Sequence, residues 1–283
     1  MKPLFLSVNG TGVPDPFGEG FAADVGRGLS NPWNDVFAQF GGSRFANKWY
    51  WQPIGYPAAV YPMDQSQKAA QAELSRQVTL HEADGSCPVG TPIAMSGYSQ
   101  GSIATGQFWR DYILNPSGLH HNRLNDVVAI VQFGDPLRSP GVARGNEVAG
   151  FAAPSQLDGQ VTGGIAGPGC LRPEETPDFL LSCALDGDLY AAAPVGSDPW
   201  NAEATVGLLE TRIYDFVLKG SWSAFLENVS DLALLFAMPV ATVIAAGQAI
   251  FNGAKFFLAG TSAPHWQYQG FVPAMVDFVN SRV

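Results

Sequence analysis

The sequence is poor in charge, and in positive charge above all. Charged residues make up 14% of the 283 positions, and 15 Lys and Arg stand against 25 Asp and Glu, a formal net charge of −10. Nucleic acid and anionic lipid headgroups are bound through surplus Lys and Arg, so we expect no nucleic-acid partner. Because 46% of the residues are hydrophobic, intrinsic disorder is excluded and one large α/β domain or two small ones can be built.

Cysteine is scarce as well. Cys87, Cys170 and Cys183 are the only three, too few for a disulfide scaffold, so we expect free thiols made in a reducing cytoplasm. Whether Cys170 and Cys183 pair stays open. The segment from Met1 to Val8 has one positive charge and too short an apolar run for a signal peptide, and none is expected.

The sequence has one long apolar run without charged residues. Residues Leu232 to Ile250 carry no formal charge, which raises the question of a membrane helix. Pro239 and Gln248 interrupt the run, and no second segment resembles it. A buried or interfacial helix pair is therefore favoured, and we expect no stable membrane span and a monomer.

Strand and helix patterns alternate along the chain. Apolar strand patterns are separated by helical ones, which predicts a parallel sheet with helices on both faces, the doubly wound α/β-hydrolase class. A Gly- and Pro-rich stretch, 136–177, is interpreted as a long surface excursion. The predicted strands are Pro3–Val8, Trp49–Ile54, Ile93–Ser96, Asp126–Phe133 and Phe179–Ala184, and the predicted helices are 65–82, 102–114 and 271–280.

The domain organisation follows from a change of character near residue 201. Residues 1–200 are predicted to form the hydrolase core, and 262–283 to return to it. Between them, 201–261 has no strand signal and many apolar residues at helical spacing, so a helical insertion of lid type is expected. Some of its apolar side chains could line a groove for a long acyl chain, because each buried methylene contributes about 0.8 kcal/mol.

The strongest chemical signal is the pentapeptide Gly-Tyr-Ser-Gln-Gly at 97–101. It lies between a predicted strand and a predicted helix, the context that a nucleophilic serine on a sharp turn requires. Gly97 and Gly101 remove side chains that would collide there, and Ser99 would be exposed above the carboxyl edge of the sheet. Ser99 is therefore the candidate nucleophile.

A serine nucleophile needs a base, and the chain has only four histidines. His81 lies near the end of a helix that we place on the surface, and His120 and His121 are adjacent in a loop. His265 comes late in the chain, where the Ser–Asp–His order of α/β-hydrolases expects the base. None has metal-ligand spacing, so no metal and no organic cofactor is implied.

The acid and the oxyanion donors are less sharply defined. Asp186 and Asp188 follow the predicted strand 179–184, and Asp135 follows 126–133, so any of the three could orient the base. The N–H of Gln100, next after the nucleophile, is one expected oxyanion donor. The N–H of Thr11, in the Asn-Gly-Thr-Gly turn after the first strand, is the other.

These motifs resemble the cutinase-like serine esterases. The segment 87–102 is similar to the family's nucleophile region, and Gly187-Asp188 resembles its acid loop, which favours Asp188 over Asp186. Within that superfamily the opening strand, the Gly-Thr-Gly turn, Gly-Asp-Leu-Tyr at 187–190 and the insertion before His265 resemble the lysin B esterases of mycobacteriophages. The catalytic strand begins at Pro3, so the peptidoglycan-binding domain that some relatives carry is not expected before it.

The resemblance implies an esterase that cleaves the ester between mycolic acids and arabinogalactan during phage lysis of a mycobacterium. The triad would be Ser99, Asp188 and His265, with Thr11 and Gln100 at the oxyanion hole. Synthesis in the host cytoplasm and action at the envelope are expected. A general cutinase or lipase acting on triglycerides or polyesters stays an alternative, as does a non-catalytic module that binds envelope lipid.

Overall fold

A computed structural model describes residues 1–30, 48–59, 62–155, 161–188, 190–195, 198–201 and 263–283. The predicted insertion 201–261, apart from Asn201, lies outside the described residues, and so does the uncharged run from Leu232 to Ile250. None of the described helices is long and apolar enough to cross a membrane.

The centre of the fold is a five-stranded parallel sheet. Its order is β2-β1-β3-β4-β6, and every neighbouring pair is parallel. β3 is central, and all six of its residues are buried, as is typical of a sheet covered on both faces. The strands are β1 Leu4–Val8, β2 Tyr50–Pro53, β3 Ile93–Tyr98, β4 Val127–Phe133 and β6 Leu180–Cys183.

Helices cover the sheet on both faces, so the predicted doubly wound α/β architecture is confirmed. On one face α2 and α3 pack through Leu74 and Ile103 against Leu6 of β1. On the other, α1 and α5 pack through Val25 and Met275. The α-helices are α1 Phe21–Ser30, α2 Asp64–Ala83, α3 Gln100–Gln107, α4 Arg144–Ala149 and α5 Val272–Asn280.

Two elements differ from their predictions. The helix expected to run to Leu114 is α-helical only to Gln107, and Phe108–Leu114 is π-helical. Its wider turn is visible where the Asn115 N–H donates to the Arg110 carbonyl at 3.0 Å, five residues back. A second sheet that was not predicted pairs β5, Thr162–Gly163, with β7, Ala193–Pro194.

The interpretation of 136–177 as a surface excursion is wrong for much of its length. Leu137, Arg138 and Ser139 are buried, and so are 162–167. The physical reason is Arg138, a fully buried guanidinium that donates to the Ala191 and Val142 carbonyls and to Thr162 Oγ1. These bonds satisfy the buried polar groups and hold the segment against the chain after β6.

Candidate active site

The carboxyl ends of the parallel strands bring the candidate residues to one edge of the sheet. The turn 9–12 follows β1, Ser99 follows β3, Asp135 follows β4 and Asp188 follows β6. His265 lies in a short 3₁₀ turn, Pro264–Trp266, ahead of α5. The topology alone therefore juxtaposes segments that are far apart in sequence.

Ser99 occupies a strained turn between β3 and α3. Its side chain is buried, contrary to the exposed position that was predicted, because the turn is enclosed by the neighbouring strand ends. The Ser99 φ of 54° and ψ of −117° lie in a region that non-glycine residues rarely adopt, and Ala58 is the only other described non-glycine residue with positive φ. Such strain persists where the surroundings enforce it and is typical of functional sites. The Ser99 N–H donates to the Phe133 carbonyl at 2.9 Å, which ties the turn to the end of β4.

The two glycines of the pentapeptide are required by close packing, as predicted. A Cβ on Gly101 would lie 2.1 Å from the Val8 carbonyl oxygen, so only glycine lets α3 begin against the end of β1. A Cβ on Gly97 would lie 2.5 Å from Thr105 Oγ1 and 2.6 Å from the Ser102 Cα. The steric reason given for the Gly-x-Ser-x-Gly pattern is confirmed by these distances.

His265 and Asp188 are hydrogen-bonded to each other. His265 Nδ1 lies 2.8 Å from Asp188 Oδ2, and both side chains are almost fully buried. Burial on its own would raise the pKa of Asp188. The facing His265 and the hydrogen bonds from His265, Tyr268 and the Tyr190 N–H outweigh burial and hold the pKa of Asp188 below its ordinary value. Asp188 is therefore an anion, and Nδ1–H of His265 is the donor.

The other two aspartates of the sequence analysis do not contact the imidazole. Asp186 accepts a hydrogen bond from the Ser155 N–H at 3.1 Å in an exposed turn. Asp135 is fully buried, and its Oδ1 accepts the Leu137 N–H at 2.9 Å. Of the three candidate acids, the structure brings Asp188 to His265.

Tyr98 and Gly134 link Ser99 to His265. Tyr98, next before the serine, donates from its hydroxyl to the His265 carbonyl at 2.8 Å, and its ring stacks on the imidazole at 5.3 Å. On the other side a Cβ on Gly134 would lie 2.8 Å from His265 Cε1 and 3.2 Å from Asp188 Oδ2. The imidazole thus lies between the nucleophile turn and the end of β4, in contact with both.

The other three histidines are bonded elsewhere. His81 Nδ1 lies 2.7 Å from Ser86 Oγ, His120 Nε2 lies 2.8 Å from Ser75 Oγ, and His121 Nδ1 lies 2.9 Å from the Ile113 carbonyl. His81 is buried, contrary to its expected place on a surface helix, because its second ring nitrogen reaches Gln52 of β2 at 3.3 Å.

The two expected oxyanion donors are braced by one segment, 55–59. The Gly12 N–H donates to the Ala58 carbonyl at 2.8 Å, which fixes the turn that holds Thr11. The Tyr56 hydroxyl donates to the Asn9 carbonyl at 2.6 Å and lies 3.2 Å from Gln100 Oε1. Gln100 begins α3, and the first amides of a helix have no intrahelical acceptor.

Sequence reasoning missed the residues that support the acid. Asn146 of α4 binds both backbone groups of Ala184, with Oδ1 at 2.9 Å from its N–H and Nδ2 at 2.7 Å from its carbonyl. Arg138 donates to the Ala191 carbonyl in the chain that follows Asp188. Tyr268 donates to Asp188 itself. In the sequence, the one hint of these contacts was that Tyr268 lies three residues after His265 and so has to be near it.

The three cysteines are buried free thiols, as predicted. Cys183 ends β6, and burial raises its pKa well above the ordinary value. Cys87 Sγ accepts a hydrogen bond from Arg123 Nη2 at 3.4 Å, and burial raises the pKa of Cys87 as well. A thiol with a raised pKa is a poor nucleophile, so neither residue competes with Ser99 for that role.

Comparison with known proteins gives concordant matches. A family model described as cutinase matches residues 27–158. Endolysin B of Mycobacterium phage L5 is 31% identical over 94% of this chain and 94% of its own length. Endolysin B of Mycobacterium phage D29 is 32% identical with the same coverage. The crystal structure of lysin B from mycobacteriophage D29 matches with a TM-score of 0.68 at 33% identity, over 99% of this chain and 100% of that one.

Proposed function

This chain belongs to the endolysin B family of mycobacteriophages, and from that premise we propose that it is a serine esterase of phage-mediated host lysis. One observation carries the proposal. A strained serine in a Gly-x-Ser-x-Gly turn lies at the same sheet edge as a buried histidine that is hydrogen-bonded to a buried aspartate. Ser99, His265 and Asp188 are its proposed catalytic residues.

In the proposed reaction Ser99 Oγ attacks the acyl carbonyl, and His265 Nε2 takes the serine proton. The tetrahedral oxyanion is held by the N–H groups of Gln100 and Thr11. Collapse expels the alcohol, which leaves with the proton from His265. Water then attacks the acyl-enzyme with His265 as base, the acid is released, and Ser99 regains its proton. Asp188 stabilises the imidazolium in both halves.

The braced oxyanion turn supports this assignment of roles. An oxyanion donor is effective when it is positioned before the charge develops. The bonds from Gly12 to Ala58 and from Tyr56 to Asn9 hold the Thr11 turn in place without substrate. The close approach of Gly101 to Val8 brings the start of α3 against the same turn.

The proposed substrate is the ester that joins mycolic acids to arabinogalactan, since the relatives are lysis proteins of phages that infect mycobacteria. The protein would be made in the host cytoplasm and would act at the envelope during lysis. The hydrolase core of 1–200 and 262–283 would carry the chemistry, and the apolar segment 201–261 would contact the acyl chain. The proposal requires no cofactor.

Ser99→Ala tests the proposal, with Ser96→Ala as its matched control. Ser96 lies three residues earlier on β3, and its buried Oγ has no hydrogen-bond partner within the described residues. We expect Ser99→Ala to lower kcat/KM for p-nitrophenyl butyrate by several orders of magnitude, and Ser96→Ala to stay within a few fold. Wild-type turnover by Ser99→Ala would end the proposal.

Mass spectrometry of lipids released from mycobacterial cell-wall skeletons tests the substrate. Wild-type protein should release free mycolic acids, and Ser99→Ala should release none. Release of fatty acid from triglyceride without mycolic acid would identify a general lipase instead. Turnover of neither substrate, together with tight retention on the skeletons, would identify a binding module.

A further inference from the structure

Asp188 accepts a hydrogen bond from a donor other than the imidazole. The Tyr268 hydroxyl donates to Asp188 Oδ2 at 2.5 Å, the oxygen that also accepts His265 Nδ1–H at 2.8 Å. The second carboxylate oxygen, Oδ1, accepts the Tyr190 N–H at 3.0 Å. Three donors therefore bind one carboxylate, and two of them share a single oxygen.

Tyr268 is held rigidly for this role. Its side chain is fully buried, and its ring packs among Tyr98, Phe21, Phe133 and Phe271 at centroid distances of 5.7 to 6.5 Å. Burial, followed by the neighbouring Asp188, raises the pKa of Tyr268 well above its ordinary value. The phenol therefore keeps its proton across the neutral range and can only donate to the carboxylate.

We propose that Tyr268 is a positioning residue that limits how strongly Asp188 stabilises the imidazolium of His265; the proposal rests on the triad assigned above. The hydroxyl hydrogen points at Asp188 Oδ2, so the positive end of its dipole lies beside the place where the imidazolium charge develops. That dipole opposes protonation of the base in the resting enzyme. The hydroxyl thereby offsets part of the stabilisation that Asp188 gives to the imidazolium.

Several other ionisable groups face this cluster in the described part of the chain. Tyr98 and Tyr190 have pKa values raised by burial, as has Cys183, so all three stay neutral. Arg138 is a buried cation that interacts electrostatically with Asp135, Asp188 and Tyr268. Burial raises the pKa of Asp135 to about 7. Asp135 is thus the neighbour that changes charge near neutral pH, and the test must distinguish its ionisation from that of the base.

The test is the pH dependence of kcat/KM for p-nitrophenyl butyrate in Tyr268→Phe, which keeps the ring and removes only the hydroxyl. We expect the acidic limb of the pH profile to move to higher pH by about 0.5–1 unit. Tyr98→Phe is the matched control, because it removes another buried hydroxyl, one that donates to the His265 carbonyl instead. Its limb should stay at the wild-type pH whatever its rate.

A Tyr268→Phe protein that folds, loses rate and keeps the wild-type limb would overturn the proposal, since packing alone would explain the loss. Proteins with and without the Tyr268→Phe substitution should also be compared in an Asp135→Asn background. If the shift of the acidic limb vanishes there, the limb reports the ionisation of Asp135, and the proposal is overturned equally. If Tyr268→Phe does not fold, 3-fluorotyrosine at position 268 gives a stronger donor. The limb should then move to lower pH, and an unmoved limb would again contradict the proposal.

Failure of the proposed function gives a different result. A wild-type protein without turnover, or a Ser99→Ala protein with full turnover, contradicts the esterase assignment before any Tyr268 variant is measured. If activity depends on Ser99 but the acidic limb does not move in Tyr268→Phe, only the role proposed for Tyr268 is contradicted.

Discussion

The turns after β4 and β6 each bury an aspartate at the same edge of the sheet. Asp188 after β6 accepts hydrogen bonds from His265, Tyr268 and the Tyr190 N–H. Asp135 after β4 accepts one from the Leu137 N–H, and its Oδ2 has no partner among the described residues. The pKa of Asp188 is lowered, whereas burial raises that of Asp135 to about 7. Partners, and not burial, decide which carboxylate is an anion.

The difference has a chemical consequence. A triad acid must remain charged while it stabilises the imidazolium, and three donors make that possible for Asp188. Asp135 has Arg138 in its electrostatic surroundings, but that guanidinium donates to two carbonyls and to Thr162. A carboxyl with a pKa of about 7 is only partly ionised at neutral pH. Such a group can fill a structural place in the turn, but it cannot supply the constant negative charge that a catalytic base needs.

The largest effect should separate the two carboxylates directly. Asp188→Asn should lower kcat by roughly 10⁴, because the imidazole loses its orienting anion. Asp135→Asn should change it by less than about tenfold. Steady-state kinetics on p-nitrophenyl butyrate measure both. A large loss at Asp135 with a small one at Asp188 would reverse the comparison.

Gly134, directly before Asp135 in the turn after β4, faces the Asp188–His265 pair and should be nearly as sensitive. A Cβ there would press on His265 Cε1 and Asp188 Oδ2. Gly134→Ala should therefore reduce kcat/KM about 10²-fold through misplacement of the pair. Gly141→Ala is the matched control, because Gly141 also has positive φ, 74° against 55°, while its nearest neighbour is Val161 at 3.7 Å. Equal losses in the two variants would mean that backbone strain alone is responsible.

Asp135 should leave a signature in the pH dependence of stability. Its pKa rises on folding from about 3.9 to about 7, so between these values the folded protein binds the extra proton. The free energy of unfolding must then decrease as pH rises through this window and level off above it.

Asp135→Asn removes that dependence. Denaturant unfolding at pH 5 and pH 8 should show wild type losing about 2 kcal/mol more than the variant over this interval. Asp188→Asn should not remove this loss of stability between pH 5 and pH 8, because the pKa of Asp188 is lowered on folding. Identical pH profiles for wild type and Asp135→Asn would mean that the carboxyl is ionised throughout.

The smallest effect is expected at Asp186. Within the described residues its carboxylate accepts one hydrogen bond, from the Ser155 N–H, in an exposed turn, so Asp186→Asn should keep kcat within about twofold and stability within about 0.5 kcal/mol. A loss comparable to that of Asp188→Asn would show that the acid loop changes conformation when substrate binds.

The strands and the nucleophile turn were predictable because their signals are local. Buried parallel strands are continuous apolar runs, and Gly97 and Gly101 mark a turn that tolerates no side chains. The residues alone could narrow the acid only to three aspartates, because a hydrogen bond to His265 depends on how β4 and β6 end in space. The resemblance of Gly187-Asp188 to the family's acid loop was what favoured Asp188. Arg138 was hidden in a Gly- and Pro-rich stretch whose composition is that of a loop. Its three acceptors, the Val142 and Ala191 carbonyls and Thr162 Oγ1, lie at separate places in the sequence.

Covalent trapping of Ser99 tests the central claim most directly. A fluorophosphonate reacts with a serine only when a base activates it, and peptide mass spectrometry identifies the modified residue. We expect modification at Ser99 in the wild type, at the same rate in Asp135→Asn and at a rate lower by several orders of magnitude in Asp188→Asn. Modification of another serine, or equal rates at Ser99 in wild type and Asp188→Asn, would contradict the account.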